Sequence, residues 1–332
     1  MRRRAFIAAA AGSSTATGLL QLQRPAGAQP VTQRVARVGW LGWSGDTSAQ
    51  PSLALAALRE GLAAAGWREG VNLHLEVRSG DREQGAALCS ELVRAGVEVI
   101  AAQGPMALFA RGAAGSVPIV FSINGDPVQA GLAASLARPG GTLTGISALN
   151  DELSAKRVEL LKAARPNALR VAVIANNRHP GVGIELEATA DAMQRLGLTQ
   201  RYFPLQQPQD LGAALAAVAA EPFDALLAFP DTLINRLAHA LAEFNTQHRL
   251  PSISGWAEFA QAGNLLSYGP VYRDFHRQMA GHVDKILRGA RAADLPVERP
   301  TRFQFVVNRR AARAMGLALP PALLVRADEV IG

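Results

Sequence analysis

The chain has 332 residues, 49% of them hydrophobic and 18% charged, a balance that supplies apolar material for about two domains of ordinary size and excludes an intrinsically disordered chain. Its formal charge of +7 includes Arg2, Arg3, Arg4 and Arg24, no acidic residue precedes position 29, and without these four the excess is +3. With no run of Lys and Arg interleaved with aromatics, that small excess argues against a nucleic-acid surface.

The first 28 residues read as an export signal. A basic start, "MRRR", precedes a modestly apolar run and then the small-residue site Ala26-Gly27-Ala28, so removal after Ala28 and a periplasmic protein are expected. "RRAFI" at 3–7 resembles a twin-arginine signal; an ordinary secretory signal and an uncleaved anchor are the other readings. No later stretch approaches the ~18 uninterrupted apolar residues of a membrane span. Cys89 is the single cysteine, so no internal disulfide forms and packing must hold the fold; its Ala/Leu-rich surroundings suit a buried hydrophobe better than a reactive thiol.

From residue 35 short apolar runs alternate with helical patterns. "RVARVGWLGW" (34–43) predicts a strand and "SLALAALREGLAAAGW" (52–67) a helix stopped by Gly66. A strand at 72–80, a helix over about 83–95, the strand "GVEVIAAQG" (96–104), a helix over about 105–114 and the strand "SVPIVFSIN" (116–124) follow. Asp126 and Pro127 then suit a helix N-cap and first position, and "RPGG" (138–141) suits its end before the strand "TLTGIS" (142–147). The plan restarts at "LRVAVIANN" (169–177), with a helix over about 182–196, the strand "TQRYFPL" (199–205), a helix from Asp210, the strand "FDALLAFP" (223–230), a single helix over 232–248 and the strand "RLPSISGW" (249–256). Val117-Pro118 and Leu250-Pro251 open equivalent strands in the two halves. Two doubly wound, mostly parallel α/β sheets of one design are expected.

"DPVQAGLAASLARPGGTLTGIS", "ELSAKRVELLKAARP", "SGWAEFAQAGNLLSYG" and "LPVERPTRFQFVVNRRAARAMGLALPPALLVRADEVI", in that order, closely resemble the ABC-transporter substrate-binding proteins related to the tryptophan-binding protein TrpX. The resemblance implies a type I periplasmic binding protein fold, two Rossmann-like lobes joined by a three-segment hinge with a solute held between them. Applied to this chain, it puts residues 35–145 and 268–290 in the N-terminal lobe and 146–267 and 291–330 in the C-terminal lobe. Crossings fall near Leu143–Leu149, near Leu265–Tyr268 and over 291–303, with Gly140, Gly141 and Gly145 supplying dihedral freedom. The implied function is capture of a small solute and delivery to an ABC permease by a monomer, without catalysis, cofactor or metal; the alternative is a sensory protein that presents its closed form to a membrane receptor.

In open parallel sheets ligands bind beyond the carboxyl ends of the strands. That rule selects Trp43, Ser44, Gln103, Gly104, Asn124 and Asp126 in the first half and Asn176, Asn177, Asp231, Trp256 and Glu258 in the second, with Tyr268 in the crossover. Amides, hydroxyls and carboxylates of this kind suit a zwitterion such as an amino acid, and Trp43, Trp256 or Tyr268 suit an apolar or aromatic side chain. Each has a plainer reading as well: Asp126 and Asp231 as caps, Trp256 as a core anchor, Asn176 as a turn residue. "GWSGD" (42–46) misses the nucleophile-elbow pattern, no phosphate loop or GxGxxG follows a strand, and the six histidines lack HExxH or cysteine partners.

Overall fold

The computed structural model describes residues 34–43, 51–81, 83–148, 150–179 and 181–332, so the expected signal segment and Ser44 lie outside the described residues. Val35–Gly332 pack as one unit built on two sheets.

The first sheet is made by β1 (Ala36–Trp43), β2 (Leu73–Gly80), β3 (Val99–Gln103), β4 (Ile119–Ile123) and β5 (Leu143–Ser147), in the order β2-β1-β3-β4-β5. Helices α1 (Leu53–Ala64), α2 (Gly85–Arg94) and α3 (Met106–Ala110) connect its strands. Every pairing in it is parallel, as right-handed strand–helix–strand crossovers require. Side-chain alternation along the strands divides the core in two: Val38, Trp40 and Val120 face one layer, Leu41, Ile119 and Phe121 the other. Cys89 sits in that second layer, where burial pushes its thiol up to about 11.

After α4 (Asn150–Ala164) the second sheet repeats the plan with β6 (Arg170–Asn176), α5 (Val182–Arg195), β7 (Thr199–Leu205), α6 (Leu211–Ala219) and β8 (Ala225–Ala228). It continues through α7 (Thr232–Arg236), α8 (Ala238–Gln247), β9 (Ser252–Ser254), α9 (Ala257–Gln261) and β10 (Leu266–Pro270). Its order β7-β6-β8-β9-β10 repeats that of the first sheet strand for strand. The chain then returns through α10 (Tyr272–Leu287), which packs on α1, β4 and β5. It finishes with β11 (Phe303–Asn308), α11 (Arg309–Ala314), α12 (Pro321–Val325) and β12 (Glu329–Ile331), which extend the second sheet. The chain thus passes three times between the sheets, and the expected boundaries at 145 and 268 fall inside β5 and β10.

Helix α10 shows why the return is stable. Tyr272, Phe275, His276, Met279, Ala280, Val283 and Leu287 are buried at helical spacing, and a fully buried large apolar side chain contributes roughly 1.5–3 kcal/mol. Its partner α1 approaches so closely that a Cβ on Gly61 would lie 2.6 Å from Ala280 Cβ.

Three local expectations are corrected. Residues 127–137 form one turn and then irregular chain, not a helix. Asp126 caps the turn, but Gly131 takes φ +70° and Leu132 N donates to Pro127 O (2.8 Å), which closes the chain on itself after a single turn. The helix expected over 232–248 is broken at Leu237, whose N–H is shared between Leu233 O and Ile234 O at 3.1 Å each, a tightened turn that separates α7 from α8. Gly145, expected to lend dihedral freedom, has no left-handed φ; it is needed because a Cβ there would stand 2.7 Å from Phe121 N.

Candidate functional site

The carboxyl ends of the two sheets meet. Asn124 Nδ2, beyond β4, donates to Pro230 O, beyond β8, at 2.8 Å, and a Cβ on Gly125 would lie 3.5 Å from Gly181 Cα. Between these contacts lies a cavity of about 130 Å³ lined by loops of both sheets. Pro105, Leu108, Ile123 and Leu132 form its wall on one side and His179, Gly181 and Ile184 on the other, with Asp126 and Gln129 beside them. Gly104, Pro105 and His179 also border a polar recess of about 20 Å³ that contains Gln103, Ser122, Asn124, Asp231, Trp256, Tyr272 and His276.

Hydrogen bonds within and between the loops set each polar side chain. Asp126 Oδ1 accepts from Val128 N at 2.7 Å, so it caps the turn after β4. Asp231 caps α7 by accepting from Leu233 N (2.8 Å) and also receives Asn176 Nδ2 (3.0 Å). Gln103 donates to the Tyr272 hydroxyl at 3.2 Å and accepts from Trp43 N. His179 Nδ1 accepts from Gly181 N (3.2 Å), which turns Nε2 to the other side of the ring. Burial pushes its pKa down, with the Asp231 carboxylate opposing.

Six of the expected residues, Gln103, Gly104, Asn124, Asp126, Asp231 and Trp256, line this connected cleft. Trp43 and Asn176 instead border a separate depression of about 280 Å³ between the sheets, with Glu83 and Arg178 paired across it at 3.9 Å. Asn177 is exposed. Tyr268 packs against the second sheet's core while its carbonyl accepts from Arg157 Nε at 2.9 Å. Glu258 borders none of these cavities, and burial raises its pKa.

Ser122, His179, Tyr272, His276 and Ile184 are cleft residues that the strand-end rule did not select. His179 was within its reach, since it stands three residues past the end of β6. Tyr272 and His276 come from α10, a helix that reaches the first sheet only after the second crossing. Trp256 emerges from the second sheet yet is buried in the first sheet's core, its ring centroid 4.6 Å from that of Tyr272. Among the described residues no group of three or more His, Cys, Asp and Glu is placed to hold a metal.

His276 gives the cleft an acid limit. Its Nδ1–H donates to Tyr272 O at 3.0 Å, and burial pushes its pKa down to about 4. Because the unfolded imidazole titrates near 6.5, the unfolded chain takes up the proton first. Stability is therefore full above about 6.5 and is lost as the pH falls through about 4. Unfolding free energies from urea titrations across that window should fall by about 3 kcal/mol in the wild type, and His276→Phe should flatten the slope.

Two duplicated lobes closing on a polar and apolar cleft define a two-lobed solute-binding protein of the type I periplasmic binding protein fold. The chain belongs to the ABC transporter substrate binding protein family, whose model matches residues 50–331; proteins of this family bind small solutes and deliver them to ABC permeases. It is 23% identical over 256 residues, 76% of this chain and 73% of the relative, to a tyrosine-binding protein of Clostridioides difficile (strain R20291). Among solved structures it is similar to an ABC domain in complex with L-Trp from Streptococcus pneumonia (TM-score 0.81, 23% identity, 90% of this chain and 100% of that one). A conserved domain protein from Vibrio cholerae is similar to the same extent (TM-score 0.83, 24% identity, 90% and 100%).

Proposed function

We propose that this chain captures an amino acid in the cleft between its two sheets and hands it to an ABC permease from the periplasmic side, after export and removal of residues 1–28. The observation that carries the ligand class is the pairing of a buried carboxylate, Asp231 at 7% exposure, with an apolar cavity in one continuous cleft. A carboxylate there suits an ammonium group, and the apolar walls suit a side chain. The names of the tyrosine-binding and L-Trp-bound relatives point the same way. The pieces of chain crossing between the sheets serve as the hinge, and a ligand touching both sheets favours the closed form. The protein acts as a monomer, and the twin-arginine reading of "RRAFI" sets its export route.

Titration of the purified protein with the twenty amino acids, read by melting temperature, tests this. A ligand at ~100 times its dissociation constant should stabilise the fold by about 2.7 kcal/mol. Asp231→Asn, which keeps an oxygen for the Leu233 cap, should weaken binding about tenfold with little change in the ligand-free melting temperature. A panel without any stabilising amino acid would refute the proposal.

A further inference from the structure

The cleft is uneven in a way that orients its ligand. Ser122 and Trp256 are 2% and 4% exposed, both border the polar recess, and Ser122 Oγ and Trp256 Nε1 are buried without a hydrogen-bond partner among the described residues. Leaving such buried groups without a hydrogen bond is costly, so each calls for a partner from a ligand. An indole N–H can only donate, so it calls for an acceptor. On the same recess Asp231 uses one oxygen for two bonds, and a carboxylate has acceptor capacity beyond that. The recess, about 20 Å³, has no room for a side chain, so its groups meet a ligand at its mouth on the larger cavity, where the two share Gly104, Pro105 and His179.

The larger cavity is walled mainly by aliphatic groups, with Asp126, Gln129 and His179 beside them. Leu108, Ile123, Leu132 and Ile184 face it from both sheets, and its volume is about 130 Å³. An apolar cavity of roughly 150 Å³ is known to take benzene. A ring of six carbons or a branched four-carbon chain matches that space, and an indole is larger than either. A charged side chain would lose its water against these four aliphatic groups, with the Asp126 carboxylate, which already accepts from Val128 N, as the charged group beside it.

We infer that the recess grips the carboxylate and ammonium of an amino acid, through Ser122 and Trp256 on one side and Asp231 on the other, and that the cavity selects an uncharged side chain of phenyl or isobutyl size. This rests on the reading of the cleft as an amino-acid site and adds its polarity and its size limit.

Isothermal titration of the full chain with L-leucine, L-phenylalanine, L-tryptophan, L-lysine, L-glutamate, hydrocinnamate and phenethylamine tests it. L-leucine and L-phenylalanine should bind at least about tenfold more tightly than the other amino acids. Hydrocinnamate and phenethylamine, each lacking one charged group, should bind at least about tenfold more weakly than L-phenylalanine. Ser122→Ala and Trp256→Phe should each weaken L-phenylalanine about tenfold; if Trp256→Phe lowers the ligand-free melting temperature, Ser122→Ala carries the test. Tightest binding of L-tryptophan, L-lysine or L-glutamate, or unchanged affinity in both variants, would overturn the division of the cleft while leaving amino-acid capture intact. Binding by none of the amino acids would overturn both.

Discussion

Replacing Glu185 alone with leucine should cost the folded protein roughly 3–5 kcal/mol, visible as a large drop in the urea midpoint. Arg157, on α4, is 1% exposed, and its guanidinium meets Glu185 Oε1 on α5 at 3.2 Å, Asn150 Oδ1 at 2.9 Å and Tyr268 O at 2.9 Å. Burial pulls the Arg157 pKa down and the Glu185 charge opposes that shift. Without the carboxylate, a buried cation remains with only neutral acceptors. The double variant Arg157→Met, Glu185→Leu removes both charges and should recover most of the loss, because a buried pair is weakly stabilising as a pair and strongly destabilising when halved. Equal midpoints for the Glu185→Leu variant and the wild type would show that the pair is not desolvated. Since Asn150 and Glu185 also border the floor of the cleft beside His179, the single variant should weaken ligand binding as well.

Gly269→Ala should be comparably severe, about 3 kcal/mol or more. Its Cβ would overlap the carbonyl of Gly255, with the carbonyl carbon only 2.9 Å away, and backbone cannot yield as a flexible side chain does. Gly145→Ala should behave likewise against the backbone of Phe121. The two glycines sit in β5 and β10, the strands at equivalent places in the two sheets from which the chain leaves for its crossings. Chemical denaturation of each variant checks the stability loss, and a change under about 0.5 kcal/mol, the scale of an indifferent surface site, would mean that the strands can part without strain.

The sheets were legible because alternation and short apolar runs are local signals. "TQRYFPL" becomes β7 residue for residue, and Val117-Pro118 and Leu250-Pro251 do precede β4 and β9. The stretch after Asp126 misled because its cap, its Pro127 and its alanines all favour a helix, while Gly131 and the bond from Leu132 N to Pro127 O end it within a turn. The strand-end rule found cleft residues contributed by the loops of both sheets. It missed Tyr272 and His276, which a distant helix delivers, and Ser122, which lies inside β4 and matters only because its hydroxyl faces no partner. The contact of Arg157 with Glu185 joins two helices 28 positions apart, and no periodicity within either helix announces it.

Cys89 has a practical consequence. The chain's one thiol lies on the buried face of α2 with its Sγ directed at Ala110 O (3.6 Å) and its acidity suppressed, so maleimide dyes should pass it by under native conditions. The unmodified protein is therefore a silent background for labelling: cysteines introduced at Glu83 and Arg178, which face each other across the mouth of the second depression, would carry a donor and an acceptor whose energy transfer times each opening and shutting of one molecule.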